Sequence, residues 1–319
     1  MTAGWTPSLR GRGHALRRGV DLWLDRTRSH IDRRKAKDPR LRPWYEGSRP
    51  FPFTRTDAVL SFSQKSACTT TVMWYLAVEG HRDAAARLGI GPWRYPNARL
   101  LWSPRFVRRL PIGRDLSEWT LLRVMRNPLR RLVASFRHAV RTGYADGELA
   151  VRFGRDVRAA DGLSLEMFLD LLEHADLERC DLHHRLQRNP VDTLGFGRIV
   201  TVDVDAQNLE EALSAFSRSH GLPEVRFDTL PRMAEFSKVH NAPPDDESAV
   251  DSLDDADLLR HRFVRSDAQR QWPGRRLAAL PVVQEAARRL YAPDWAWLEA
   301  TRGDGRSSVN GSLGEGACP

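Results

Sequence analysis

Residues 57–76 read DAVLSFSQKSACTTTVMWYL, and the fold turns on them. A short apolar run, Ala58 to Phe62, meets a polar break, Ser63-Gln64-Lys65-Ser66. A second apolar stretch follows, with Val72, Met73, Tyr75 and Leu76 able to fill a buried helix face. That pattern predicts strand, tight turn, helix. The first turn of a helix leaves backbone N–H groups unpaired at the positive end of its dipole, so an anion can sit there. Lys65 adds a point charge, and Ser66, Thr69, Thr70 and Thr71 add hydroxyls. A nucleotide-triphosphatase loop of the form G-x-x-x-x-G-K-[ST] needs glycine before the lysine. None occurs from Phe53 to Lys65, so the anion must be held by a shorter loop.

A second unit of the same kind lies at residues 119–142. Trp119 to Met125 reads as a central strand, Arg126-Asn127-Pro128 breaks it, and Pro128 suits the first position of a helix because its missing N–H would be unpaired anyway. Leu129, Leu132, Val133, Phe136 and Val140 follow at helical spacing, with Arg130, Arg131, Arg137, His138 and Arg141 on the opposite face. Further along, 163–180 reads as a helix, Asp181 to Gln187 as a polar, His-rich segment, Arg198 to Asp203 as a strand, Leu209 to His220 as a helix, and 281–298 as a helix. Strands alternating with helices predict a parallel sheet with helices on both faces, and such sheets bind ligands at the carboxyl ends of their strands.

The chain has 319 residues, 41% of them hydrophobic, and a formal charge of +9. Arginine supplies nearly all of that charge; the lysines are Lys35, Lys37, Lys65 and Lys238, so Lys65 stands where this sequence otherwise writes arginine. Basic balance suits anionic partners without choosing among them. Cys68, Cys180 and Cys318 are widely separated, which predicts neither a zinc site nor a disulfide framework. No apolar run approaches the roughly 18 residues of a membrane span, and no signal-peptide core is evident. A cytoplasmic protein is expected. Residues 1–52 form a basic extension in which Leu16, Val20, Trp23, Leu24 and Ile31 can share one helix face; the readings are packing on the domain or a peripheral contact with the inner membrane face. Pro43, Pro50 and Pro52 read as a linker, residues 53–300 as the domain, and the Gly/Ser-rich 301–319 as a disordered tail. Aromatics in the 89–118 segment, among them Trp93, Tyr95 and Trp102, suit either a sugar site or satellite packing.

Several segments together resemble the PAPS-dependent sulfotransferases, the carbohydrate sulfotransferases of the chondroitin/dermatan type above all. Gln64 to Thr69 resembles their 5′-phosphosulfate loop, P-K-x-G-C-T. Val124 to Leu132 resembles their 3′-phosphate segment, V-R-[DN]-P-x-x-R-L. Asp181 to Gln187 resembles D-x-H-W-x-P-Q, Ile199 to Leu213 their next strand and helix, and Leu290 to Trp295 their terminal Y-x-x-D-[FY]. The order holds from about residue 57 to 298. The resemblance implies an α/β fold, a P-loop-like three-layer sandwich with a central parallel sheet flanked by helices. It implies PAPS as the donor, no metal, and sulfuryl transfer to a hydroxyl of a carbohydrate or glycolipid.

The same resemblance places Gln64, Lys65, Ser66, Ala67, Cys68, Thr69, Thr70 and Arg126 at the donor nucleotide. Lys65 would stabilise the departing phosphate. His183 is the candidate general base, with His184 as the other choice, and Gln187 stands on the acceptor side or behind the residues that touch the acceptor. Cys68 reads as a packing residue. Where the family has proline and glycine, this chain has Gln64 and Ala67; its serine eight residues after the arginine is Ala134 here, with Ser135 next to it, about 100° further round the helix. Either the helix is rotated and Ser135 serves, or a hydroxyl contact worth about 1–2 kcal/mol is absent. The competing readings are a small-molecule P-loop kinase and a basic nucleic-acid-binding protein; the missing glycines argue against the first, and no recognition motif supports the second.

Overall fold

In the computed structural model, the structure describes residues 38–46, 50–87, 100–101, 103–230, 250, 252–270 and 272–303. The expected N-terminal amphipathic helix, Trp93, Tyr95, Trp102 and the tail beyond 303 lie outside them.

The protein is α/β, with one four-stranded sheet in the order β1-β2-β3-β4. The strands are β1 (Phe51–Pro52), β2 (Ala58–Phe62), β3 (Thr120–Met125) and β4 (Arg198–Asp203). β2, β3 and β4 run parallel, in the register Leu60↔Leu122↔Val200 and Ser61↔Arg123↔Thr201. The expectation of a parallel sheet needs one correction: β1 is antiparallel to β2, through Phe51↔Leu60 and Pro52↔Val59. Pro52 fits there because an edge strand spares the N–H that proline lacks. The boundary expected at residue 52 also moves. Leu41, Trp44, Tyr45 and Phe51 are buried in the same apolar cluster as the sheet. Pro43 and Pro52 thus sit inside a first-turn helix position and an edge strand, two places where proline is tolerated.

Each parallel strand feeds a helix. β2 runs through residues 63–67 into α1 (Cys68–Val78), β3 through Arg126-Asn127 into α2 (Pro128–Thr142), and β4 into α5 (Leu209–Ser219). α3 (Asp146–Phe153) and α4 (Leu165–His174) lie between α2 and β4. Beyond α5 come α6 (Gly274–Ala279), α7 (Pro281–Leu290) and α8 (Ala292–Gly303); the single helix expected over 281–298 is broken at Tyr291, and α8 carries three residues past the expected domain end. Local chemistry fixes these ends. Asn127 Oδ1 accepts from the N–H groups of Leu129 and Arg130 at 3.0 and 3.2 Å, and Gly143 closes α2 at φ 68°. At Gly197, just before β4, a Cβ would fall 1.6 Å from the Ser117 carbonyl oxygen, so only glycine lets the two segments pass.

The apolar interior has two parts. One joins the strands to α1 and α5, with Phe53, Trp74 and Phe216 in mutual ring contact. The other is helical: Phe136 of α2 meets Phe168 of α4, Phe263 and Trp272. Truncating Phe136 to alanine would cost about 3–5 kcal/mol on the scale of buried aromatics. A polar row crosses the sheet at Ser61, Arg123 and Thr201. Arg123 pairs with Asp192 at 3.2 Å and donates to Ser61 Oγ, while Trp297 of α8 reaches Thr201 Oγ1 at 3.3 Å. α2 is therefore shared: Leu132, Ser135, Phe136 and Ala139 face the helical interior, and Arg130, Ala134, Arg137, His138 and Arg141 face an open cavity.

Candidate functional site

The cavity lies at the carboxyl ends of β2, β3 and β4, where a sheet of this kind takes its ligands. It encloses about 1010 Å³ between the head of α1, the exposed side of α2, the start of α5 and the 272–279 segment. Lys65, Arg126, Arg130, Arg137, Arg141 and Arg275 line it, against Asp205 as the one lining carboxylate among the described residues. Asp205 is engaged already: Arg126 Nε lies 3.4 Å and Arg130 a similar distance from its oxygens, and Asn127 N donates to it at 3.1 Å. The cavity is thus strongly cationic before any ligand enters.

Residues 63–67 form the loop predicted from the sequence. Lys65 and Ala67 both adopt left-handed backbone, φ 69° and 53°, a conformation that costs non-glycine residues on the order of 1 kcal/mol each. The turn aims the Lys65 side chain into the cavity beside the first turn of α1. Among the described residues no hydrogen bond or ion pair holds its ammonium. Burial, helped by the charges of Arg141, Arg131 and Arg126 and opposed by the Cys68 thiol, pulls the Lys65 pKa down to about 7. Cys68 lines the cavity too; burial pushes its thiol up despite Lys65, and Sγ donates to Gln64 Oε1 at 3.3 Å. A thiol held protonated is a poor nucleophile, which fits packing.

Ala67, Cys68, Thr69, Thr70 and Arg126 reach the cavity wall with Lys65. Gln64, Ser66, Ser135, His183, His184 and Gln187 are not among the residues that line it. Gln64 O accepts from Arg131 Nε at 2.9 Å, and Ser66 Oγ donates to Gln187 Oε1 at 3.0 Å. Ser135 is turned inward: its hydroxyl donates to His183 O and lies 2.7 Å from Tyr144 Oη, while Ala134 occupies the cavity side. The 100° step between adjacent helix positions decides this, so the expected Ser135 contact with a 3′-phosphate is corrected to a structural bond. His184 is fully buried, with Nε2 at 3.0 Å from Glu148 Oε2 and Nδ1 at 3.2 Å from Tyr144 Oη; it has no path to an acceptor.

Gln187 is a bolt behind the site. It is buried, its Oε1 accepts from Arg126 N at 2.9 Å and its Nε2 donates to Arg126 O at 2.8 Å. Its backbone N donates to Asp294, and Tyr291 Oη donates to His184 O at 2.8 Å. Tyr291 and Asp294 therefore pin the 183–187 segment across the strand ends. Arg131, buried at 1% exposure, joins the two pieces again by donating to Gln64 O and to Leu182 O.

That pinning leaves His183 half-buried beside the loop. Its Nδ1 lies 2.7 Å from Asp181 Oδ1. An ionised carboxylate only accepts, so Nδ1 carries the proton and Nε2 keeps its lone pair. Asp181 stays ionised: burial raises it, but the hydrogen bonds from His183 outweigh that and hold it below the usual range. Burial lowers the His183 pKa, Asp181 opposes, and Lys65 lowers it further. The His183 ring packs 4.5 Å from His138, which lines the cavity. Of the basic residues read as one helix face, Arg130, Arg137, His138 and Arg141 line the cavity, whereas Arg131 is buried in the structure; Arg275, far along the chain, carried no such signal.

Comparisons of the chain with models of known families, with characterised proteins and with solved structures find no match. Among the described residues no helix is long and apolar enough to cross a membrane, and no group of three or more His, Cys, Asp or Glu is placed to hold a metal ion.

Proposed function

We propose that the protein is a PAPS-dependent sulfotransferase with a P-loop-like three-layer core, moving a sulfuryl group to a hydroxyl of a carbohydrate or glycolipid. One observation carries the reading. A lysine without an anionic partner among the described residues stands at the head of α1 in a cationic cavity; Arg126 Nη1 donates to its carbonyl oxygen at 3.2 Å, and the His183 of an Asp181–His183 pair feels the lysine's charge. The fit to a nucleotide with several anionic groups is good in volume and charge, since among the described residues five arginines and Lys65 line the cavity with one carboxylate. It is less complete at Ala134, which offers no hydroxyl.

When bound, the donor supplies an activated sulfuryl group; the chain supplies positions and charge. Arg126 suits a phosphate because its guanidinium forks onto two oxygens. Lys65 and the N–H groups of the first α1 turn are preorganised donors for negative charge that develops on a leaving oxygen. His183, neutral above its lowered pKa and steered by Asp181, takes the acceptor's hydroxyl proton on Nε2. Labelled PAPS incubated with a panel of glycans, glycolipids and small alcohols tests the reading. Label transfer that collapses in Lys65→Ala supports it. Failure of adenosine 3′,5′-bisphosphate to shift the melting temperature at high concentration refutes it.

A further inference from the structure

The assignment of His183 as the base leaves a buried polar cluster beneath it without a role. Tyr144, in the turn between α2 and α3, stands at its centre. Its ring centroid lies 4.5 Å from His183, 5.3 Å from His138 and 5.7 Å from His184. Its hydroxyl lies 2.7 Å from Ser135 Oγ and 3.2 Å from His184 Nδ1. Ser135 Oγ in turn donates to the His183 carbonyl oxygen at 2.7 Å. From the other side, Glu148 of α3 faces His184 Nε2 at 3.0 Å and accepts from Asp181 N at 3.0 Å. Glu148 thus holds the backbone of the residue whose carboxylate orients His183. Burial keeps the Tyr144 phenol protonated far above neutral pH, so its hydroxyl is a constant tie.

We infer that Tyr144 is a positioning residue for His183: it walls the imidazole from water and, through Ser135 and His184, fixes the angle at which Nε2 is presented. This rests on the reading of His183 as the general base. The groups facing His183 are Asp181 and His184 on its own segment, Lys65 on the loop before α1, and Ser135 and His138 on α2. Tyr144 is the uncharged member of that surround with the largest face against the ring, so it sets how much water the imidazole meets.

The sign follows from burial. Burial is the leading cause of the lowered His183 pKa. Replacing Tyr144 by leucine admits water, so the His183 pKa rises and the acid limb of kcat/KM moves to higher pH. Tyr144→Phe keeps the ring but drops the hydroxyl ties to Ser135 and His184, so the 183–184 segment loosens, some water reaches the imidazole, and the limb moves in the same direction by less. For Tyr144→Leu, kcat is expected to fall about tenfold with little change in KM for the nucleotide, because the lost element is orientation.

The experiment pairs those pH profiles with an NMR titration of the histidine rings in the full chain, His183 being assigned by its loss in His183→Gln. A raised His183 midpoint in both variants supports the inference. An unmoved midpoint in a folded leucine variant overturns it, and should that variant not fold, an unmoved midpoint in Tyr144→Phe does the same. Activity that falls with no shift of midpoint marks a merely structural role and also overturns it. Wild-type protein that transfers no sulfuryl group defeats the proposed function alone, because the NMR midpoint still reports on the placement of Tyr144.

Discussion

Anion affinity is expected to fall as pH rises from 7 to 9, because Lys65 must be protonated to hold the ligand. In the free protein its pKa is about 7, and no anion among the described residues supports the charge. A bound phosphate or sulfate supplies that support and raises the pKa. Between the two values each pH unit removes up to about 1.4 kcal/mol of binding, or tenfold. Across two units the expected loss is about 10–100-fold, the lower figure allowing for screening in an open cavity. Burial lowers the His183 pKa and raises that of Cys68, both away from this window. Calorimetry with adenosine 3′,5′-bisphosphate, its phosphates already ionised above about pH 7, in buffers of different ionisation enthalpy should find nearly one proton taken up at pH 8. Lys65→Gln should bind more weakly and without the slope, and Lys65→Arg should bind without the slope because arginine stays charged. A flat wild-type profile, or a slope that survives in Lys65→Gln, would refute the reasoning.

Lys65→Met should stabilise the ligand-free protein. The folded pKa lies below the unfolded 10.5, so the unfolded chain binds more protons from pH 7 to 10.5; the group's penalty is full below pH 7 and fades as pH rises through that window. A gain of about 2 kcal/mol at pH 6–7, shrinking toward pH 10, is expected in urea unfolding. Gln187→Leu should destabilise by about 2–4 kcal/mol, since it strands the buried Arg126 N–H, the Arg126 carbonyl and the Ser66 hydroxyl; an unchanged urea midpoint would contradict the bolt. Ala134→Ser puts a hydroxyl on the cavity wall and should tighten bisphosphate binding about fivefold to tenfold by the ordinary scale of one hydrogen bond. Calorimetry reads that gain, and its absence would show that no ligand oxygen comes near α2 at that turn.

The parts of the fold that were legible in the sequence are those governed by local periodicity. Ala58–Phe62 and Thr120–Met125 are runs apolar but for Ser61, Thr120 and Arg123 because their strands are buried on both faces. Asn127-Pro128 announces a helix start through groups within three residues of one another. The antiparallel Phe51–Pro52 edge was not legible, because two residues carry no period and prolines read as linker. Lys65, Arg126 and the cationic side of α2 were legible; the side of the helix on which Ser135 falls depends on one residue of phase, and its neighbours Leu132, Phe136 and Ala139 are the ones that turn inward with it. Gln187 looked like a ligand contact because a polar side chain in a His-rich segment gives no hint of burial. Its partners lie at Ser66, Arg126 and Asp294, up to 121 residues away.

The buried Arg123 has a bearing on how the chain finds its strand pairing. It lies in register with Ser61 and Thr201, and Asp192 reaches it from outside the sheet. Apolar strands such as these could slide past one another by a residue with little loss of contact, yet a one-residue slip reverses the face every side chain takes. In the slipped arrangement the guanidinium would sit against Leu60 or Phe62, away from Asp192, as an unpaired charge in an apolar layer, a penalty of several kcal/mol. One arginine thus works as a key for strand alignment: wrong registers are rejected by charge where shape alone would accept them.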